Sequence, residues 1–181
     1  MITLGIFLTA LTFPGVMVRE AAHLFFCRLF KLAIFDVRFL ELNPPFGHVQ
    51  HEHPNHFWAA AVETLGPFFL NSVLCILFCW AVFLPVWELR IFDPLAYLFY
   101  WLGFSMGVHA LPSTDDLKHL WALTPPAARR GNVLALLLLP LVGTLRGSEF
   151  ARAFWPGAVY AVALGVGVPL ALVRLAGMYS V

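Results

Sequence analysis

Apolar residues fall along this chain in five long blocks, and polar residues are confined to short intervals between them. The blocks cover residues 2–30, 57–87, 95–111, 133–145 and 154–175. A helix crossing a bilayer needs about 20 apolar residues, so the pattern predicts four to five transmembrane helices. The count turns on the fourth block, which runs to about 13 residues and carries Pro140; it either re-enters one membrane face or starts further back, toward Pro126. The one sizeable polar stretch, residues 34–56, separates the first two blocks. Polar and apolar residues nearly alternate from Ile34 to Leu42, which predicts a strand. Asn43-Pro44-Pro45-Phe46-Gly47 reads as a turn, and residues 48–53 return as a second strand. The predicted fold is an all-α polytopic membrane protein with a small β-hairpin between its first and second spans. No repeat or linker divides residues 1–181, which form a single integral membrane domain.

Composition agrees with that pattern. The 181 residues are 61% hydrophobic and 12% charged, with mean hydropathy +0.83. Soluble domains run at about 45–50% apolar and 25% charged, so the expected surroundings are the lipid bilayer. A net charge of +1 with no basic tract excludes nucleic acid as a partner. Cys27, Cys75 and Cys79 lie in apolar surroundings and read as small buried hydrophobes rather than as a disulfide or metal set. The N-terminus has neither a basic leader nor a small-residue cleavage site, so it reads as a retained helix. Arg28, Lys31, Arg38, Lys118, Arg129 and Arg130 fall on the first and third loops, against Arg90, Arg146 and Arg152 on the second and fourth. The positive-inside rule then puts loops one and three in the cytoplasm and the N-terminus outside.

Candidate chemistry sits where those rules forbid charge. Arg19-Glu20-Ala21-Ala22-His23 interrupts the first apolar block, and each charged group costs several kcal/mol in hydrocarbon (about 2.5–3.5 at a helix centre). The run differs by one residue from His-Glu-x-x-His, in which two histidines one helical turn apart hold zinc and the glutamate is the general base. Arg19 and His23 are four apart and share a helix face, with Glu20 beside them. The third block ends in His109-Ala110-Leu111-Pro112-Ser113-Thr114-Asp115-Asp116, on the same side of the membrane as the end of the first. A carboxylate from there completes a tetrahedral site with first-span ligands.

Over residues 13–121 the chain resembles the site-2 protease class of intramembrane zinc metalloproteases, in particular its small bacterial members. The resemblance is carried by Phe13-Pro14-Gly15 ahead of the degenerate motif, by Gly47-His48-Val49, by Gly66-Pro67-Phe68-Phe69-Leu70-Asn71, and by His109 to Ser113 followed by Asp116 and Leu120-Trp121. Residues 122–181 add further helices. The resemblance implies a bacterial cytoplasmic membrane, His23 and Asp116 as zinc ligands with Asp115 the neighbouring alternative, Glu20 as the base and Asn71 as the group that orients substrate or the oxyanion. Arg19 stands where the first histidine belongs, and a guanidinium has no lone pair for a metal.

Three functions follow as expectations. The first is a non-catalytic pseudo-protease acting as a membrane scaffold or complex subunit, without a cofactor, in which Arg19 takes the place of zinc and forms a salt bridge with Asp116 or Asp115, or failing those with Glu20. The second is an active zinc peptidase with a rearranged ligand set, drawing a substitute from His109 or from the hairpin histidines His48, His51, His53 and His56. The third is an electron carrier with haem held between His23 and His109. The hairpin histidines otherwise read as solvated, His119 as surface, and Glu63 as a capping or pairing group.

Overall fold

The computed structural model describes residues 2–41, 46–87, 89–91, 93–148 and 155–177. It is mostly helical: α1 (Ile2–Leu11), α2 (Phe13–Leu29), β1 (Ile34–Arg38), β2 (His48–His51), α3 (Phe57–Trp87), α4 (Pro94–Val108), α5 (Thr114–Arg129), α6 (Val133–Ser148), α7 (Pro156–Val162) and α8 (Val168–Leu175). A single π turn, Ala163–Gly167, joins α7 to α8, so that Pro156–Leu175 runs as one 20-residue rod. That rod and the 31-residue α3 are long and apolar enough to cross a membrane. Of the shorter apolar helices, α4 packs between them and α6 packs on α5. Large hydrophobic side chains face outward, among them Phe25, Leu77, Leu98, Leu136 and Val159.

The first apolar block is two helices. Thr12 breaks it, and Pro14 sits in the first turn of α2, where its missing N–H costs nothing. The Thr12 hydroxyl donates to the Leu8 carbonyl at 2.8 Å and lies 2.7 Å from His109 Nε2, which ties the break to the end of α4. Three residues later Gly15 packs on the Ser105 carbonyl so closely that a β-carbon would overlap it. That close approach seats α2 on α4. Gly107 does the same job deeper in the bundle, where a β-carbon would meet Cys75 Sγ and Ala161 Cβ at 2.8 Å each. Small residues at such crossings let helix backbones approach in a setting where lipid offers no hydrophobic drive to associate.

Helix α2 closes with Lys31 in the left-handed region (φ 54°) and a Leu32 N–H bond to the Cys27 carbonyl at 3.0 Å, which turns the chain into β1. The hairpin is antiparallel, with Val37 opposite Val49 and Arg38 opposite His48, and has an irregularity between Ile34 and Asp36. Both strands are shorter than expected: regular pairing covers Ile34–Arg38 and His48–His51. The expected turn at Asn43-Pro44-Pro45 lies outside the described residues, as does Arg152.

The interval expected to be the third loop is instead the amphipathic helix α5. Leu117, Leu120 and Thr124 line its buried stripe at helical spacing, and Pro125 and Pro126 lie inside it. Ser113 caps its start by accepting the Asp116 N–H at 3.2 Å. Helix α6 folds back on α5 through Gly131 (φ 84°), an inversion open to glycine at no steric cost. Their joint core includes Leu117, Leu120, Ala135, Val142 and Leu145, closed by Phe57, Ala60 and Leu65 of α3.

A candidate metal centre

Four elements converge at one point. On α2, Glu20, His23 and Cys27 follow the i, i+3, i+7 spacing of a single helix face, and all three are buried. The end of β2 supplies His51, whose side chain is 3% exposed; the Glu52 N–H bond to the Ala33 carbonyl at 2.8 Å holds that strand end against the start of β1. Glu63, in the second turn of α3, is fully buried. Asp116, in the first turn of α5, is 7% exposed.

Glu63 is the hub. Its Oε1 lies 2.5 Å from His23 Nε2 and 3.2 Å from His51 Nε2, and its Oε2 accepts the Thr64 hydroxyl at 3.0 Å. Asp116 Oδ1 stands 3.7 Å from His51 Nε2, while Oδ2 accepts the Ser113 hydroxyl at 2.5 Å. His51 Nδ1 lies 2.9 Å from the Glu52 carbonyl, which can only accept, so Nδ1 carries a proton and Nε2 is the nitrogen turned inward. Burial pulls the His51 imidazole down, but the Asp116 and Glu63 carboxylates and the Glu52 carbonyl outweigh it and hold the group at about 10. For Asp116, burial pushes the carboxyl up, and His51, His23, Ser113 and Arg19 together outweigh it, so it stays below the usual carboxylate range. The cluster forms the inner wall of an open cleft of about 590 Å³ that Glu20, His23, His51, His53, Ser113 and Asp116 help to line.

Arg19 does not enter the space between the histidines. Its Nη1 pairs with Glu20 Oε1 at 3.3 Å, with the guanidinium 22% exposed and the carboxylate 3%. Asp116 takes His51 and Ser113 as partners instead, so the Arg19–Asp116 bridge expected from the sequence is not among the ion pairs of the described residues. Asp115 is exposed and pairs with Lys118 at 3.4 Å along α5. His109 closes α4 with its ring on Thr12, and it lines a second cleft, of about 480 Å³, that His23 does not reach. His23 and His109 are thus not brought together as the two axial groups of a haem. Asn71 is buried eight residues beyond Glu63, or about 12 Å along the helix at 1.5 Å per residue. Its Nδ2 reaches the His109 carbonyl at 3.5 Å while Oδ1 has no partner among the described residues. It braces α3 against the end of α4.

Of the hairpin histidines, only His51 joins the buried cluster. His48 Nε2 lies 3.1 Å from Asp36 Oδ2, and His53 stacks on His119 at 4.8 Å while His119 Nε2 donates to the Pro54 carbonyl at 2.8 Å. Sequence reasoning left His51 as one of four hairpin candidates and read Glu63 as a capping or pairing group; the structure singles out both and adds Cys27 beside them. The available signals were a full negative charge in the second turn of an apolar helix and a histidine in strand alternation with a buried valine, Val49. No family model, no curated protein and no solved structure matches the chain. The resemblance to the site-2 protease class therefore rests on the motif residues alone.

Proposed function

We propose that this protein is a multi-pass membrane protein of the site-2 protease type that has lost peptidase chemistry and serves as a scaffold or subunit for other membrane proteins. Its place would be a bacterial cytoplasmic membrane with the N-terminus outside, α1–α2, α3, α4 and the Pro156–Leu175 rod forming the spans, and α6 completing or bordering the bundle. One observation carries the loss of activity: the guanidinium of Arg19 lies on the carboxylate of Glu20. A guanidinium never deprotonates and has no lone pair for a metal, so the first ligand position of the motif is filled by a cation, paired with the residue that would be the base.

A second reading is favoured by the cleft, which Glu20, His23, His51 and Asp116 line together. There His51 replaces the missing histidine, His23 and Asp116 complete a three-ligand zinc site with one open position, and Glu20 is the base. Proteoliposomes separate the two. With zinc supplied and a transmembrane peptide as substrate, the wild-type protein is expected to leave the peptide intact, and Glu20→Gln is expected to leave the cellular phenotype unchanged. Cleavage by wild type that Glu20→Gln abolishes would establish the peptidase instead.

A further inference from the structure

The histidine and carboxylate cluster contains more metal-binding chemistry than the motif it grew from. His23, Cys27, His51 and Glu63 each direct one ligand atom to a common point, and those four atoms lie within 4.8 Å of one another. All four side chains are nearly or fully buried. They come from three separate elements, α2, β2 and α3, so no local sequence repeat brings them together. We propose that these four residues form a closed site for one divalent cation of zinc chemistry, and that the cation pins the hairpin to the helical bundle. The proposed ligand set shares only His23 with the one the protease resemblance implies. It stands on these side chains whether or not the chain once cut peptides.

The geometry fits that ion. Zinc bonds of about 2.0–2.1 Å to nitrogen and oxygen place neighbouring tetrahedral ligands about 3.3 Å apart, and a thiolate at about 2.3 Å lengthens its edges slightly. His51 and Glu63 already stand at 3.2 Å. His23 and Glu63, at 2.5 Å, have to separate by about 0.8 Å to reach that edge length. The His51 tautomer is set for the role: Nδ1 donates to the Glu52 carbonyl and leaves Nε2 to face the site. An imidazole that binds metal through one nitrogen usually anchors the other in this way. Cys27 binds as the thiolate, releasing its proton to solvent.

Charge balance points the same way. Glu63 is fully buried with two imidazoles and a hydroxyl around it, so its carboxylate is an anion already placed among nitrogen ligands. Arg19 does not compete for it, because it is turned to Glu20. Asp116 Oδ1 stands 3.7 Å from His51 Nε2 and groups with His51 and His53 rather than with the four ligand atoms. Four protein ligands fill a tetrahedral zinc and leave no position for water, as in structural sites.

The test uses the full chain in detergent micelles, loaded with zinc or cobalt(II) and dialysed. Wild type is expected to retain about one zinc per chain by elemental analysis, and its cobalt form to show tetrahedral d–d bands with a thiolate-to-cobalt charge-transfer absorption. Cys27→Ser should abolish the charge-transfer band, His51→Ala should cut retained zinc at least tenfold, and Asp116→Asn should change neither. The hairpin should become susceptible to limited proteolysis when zinc is chelated from wild type, which needs no variant to fold. Less than a tenth of a zinc per wild-type chain, or a cobalt form without the thiolate band, would overturn the site. Loss of metal in Asp116→Asn with retention in Cys27→Ser would overturn it in favour of the three-ligand catalytic set.

Discussion

Removing Glu63 is the most informative perturbation of the fold. Its carboxylate is fully buried and meets His23, His51 and Thr64 at 2.5, 3.2 and 3.0 Å. In Glu63→Ala all three lose their acceptor, and two imidazoles lose the anion that compensates them. Breaking a buried ion pair from one side costs about 3–5 kcal/mol. Glu63→Gln keeps the volume and one acceptor oxygen but directs an amide N–H₂ at one ring, for a cost of about 1–3 kcal/mol. Glu20→Gln is the internal comparison. Its one ion-pair partner among the described residues, Arg19, is 22% exposed, so solvent screening limits the loss to about 1 kcal/mol or less. For a chain of this size 1 kcal/mol moves the unfolding midpoint by about 2–4 °C, which puts Glu63→Ala about 6–20 °C below wild type. The assay is thermal unfolding in micelles with chelator present, followed by the reactivity of the three buried thiols, Cys27, Cys75 and Cys79. A Glu63→Ala midpoint no lower than that of Glu20→Gln would show that this carboxylate does not hold α2, β2 and α3 together.

Two further outcomes are expected. With chelator present, stability should depend on pH at both ends. The folded-state pKa of His51 is raised from 6.5 to about 10, so its contribution is complete below pH 6.5 and is lost as pH climbs toward 10. The folded-state pKa of Asp116 is lowered, so its contribution is complete above 3.8 and is lost as pH falls below that. His51→Gln should flatten the alkaline limb of the unfolding midpoint against pH, and an unchanged limb would remove His51 from the account. Separately, Gly15→Ala should drive a methyl group into the Ser105 carbonyl and part α2 from α4. Overpacking of this kind costs about 1–3 kcal/mol, and a midpoint equal to wild type would mean that the two helices do not meet there.

Most of the helical architecture was legible along the chain, because a bilayer imposes a length and a composition on any helix that crosses it. The second and fifth blocks became the two longest apolar rods with bounds near those expected, and strand alternation located the hairpin. Helix α5 was not anticipated. Its charged and polar residues spread across a loop-like stretch, and its stripe of Leu117, Leu120 and Thr124 gains meaning only once α3 and α6 are there to cover it. The break at Thr12 was equally hidden, since proline and glycine in an apolar run are compatible with one kinked helix or with two.

The site divides along the same line. Sequence alone established that Arg19, Glu20 and His23 sit on one stretch of apolar helix, that the first of them cannot bind a metal, and that Asp116 is within reach from another element. Those statements follow from helical periodicity and from the fixed protonation of a guanidinium, which are local properties. Tertiary structure decided the rest. It turned Arg19 onto its neighbour Glu20, exposed Asp115, buried Asn71 far from the cleft, and selected His51 from the four hairpin histidines. It also brought Glu63 and Cys27 to the same point. The burial of a carboxylate depends on which cations three other elements present to it, and no periodicity within its own helix records that.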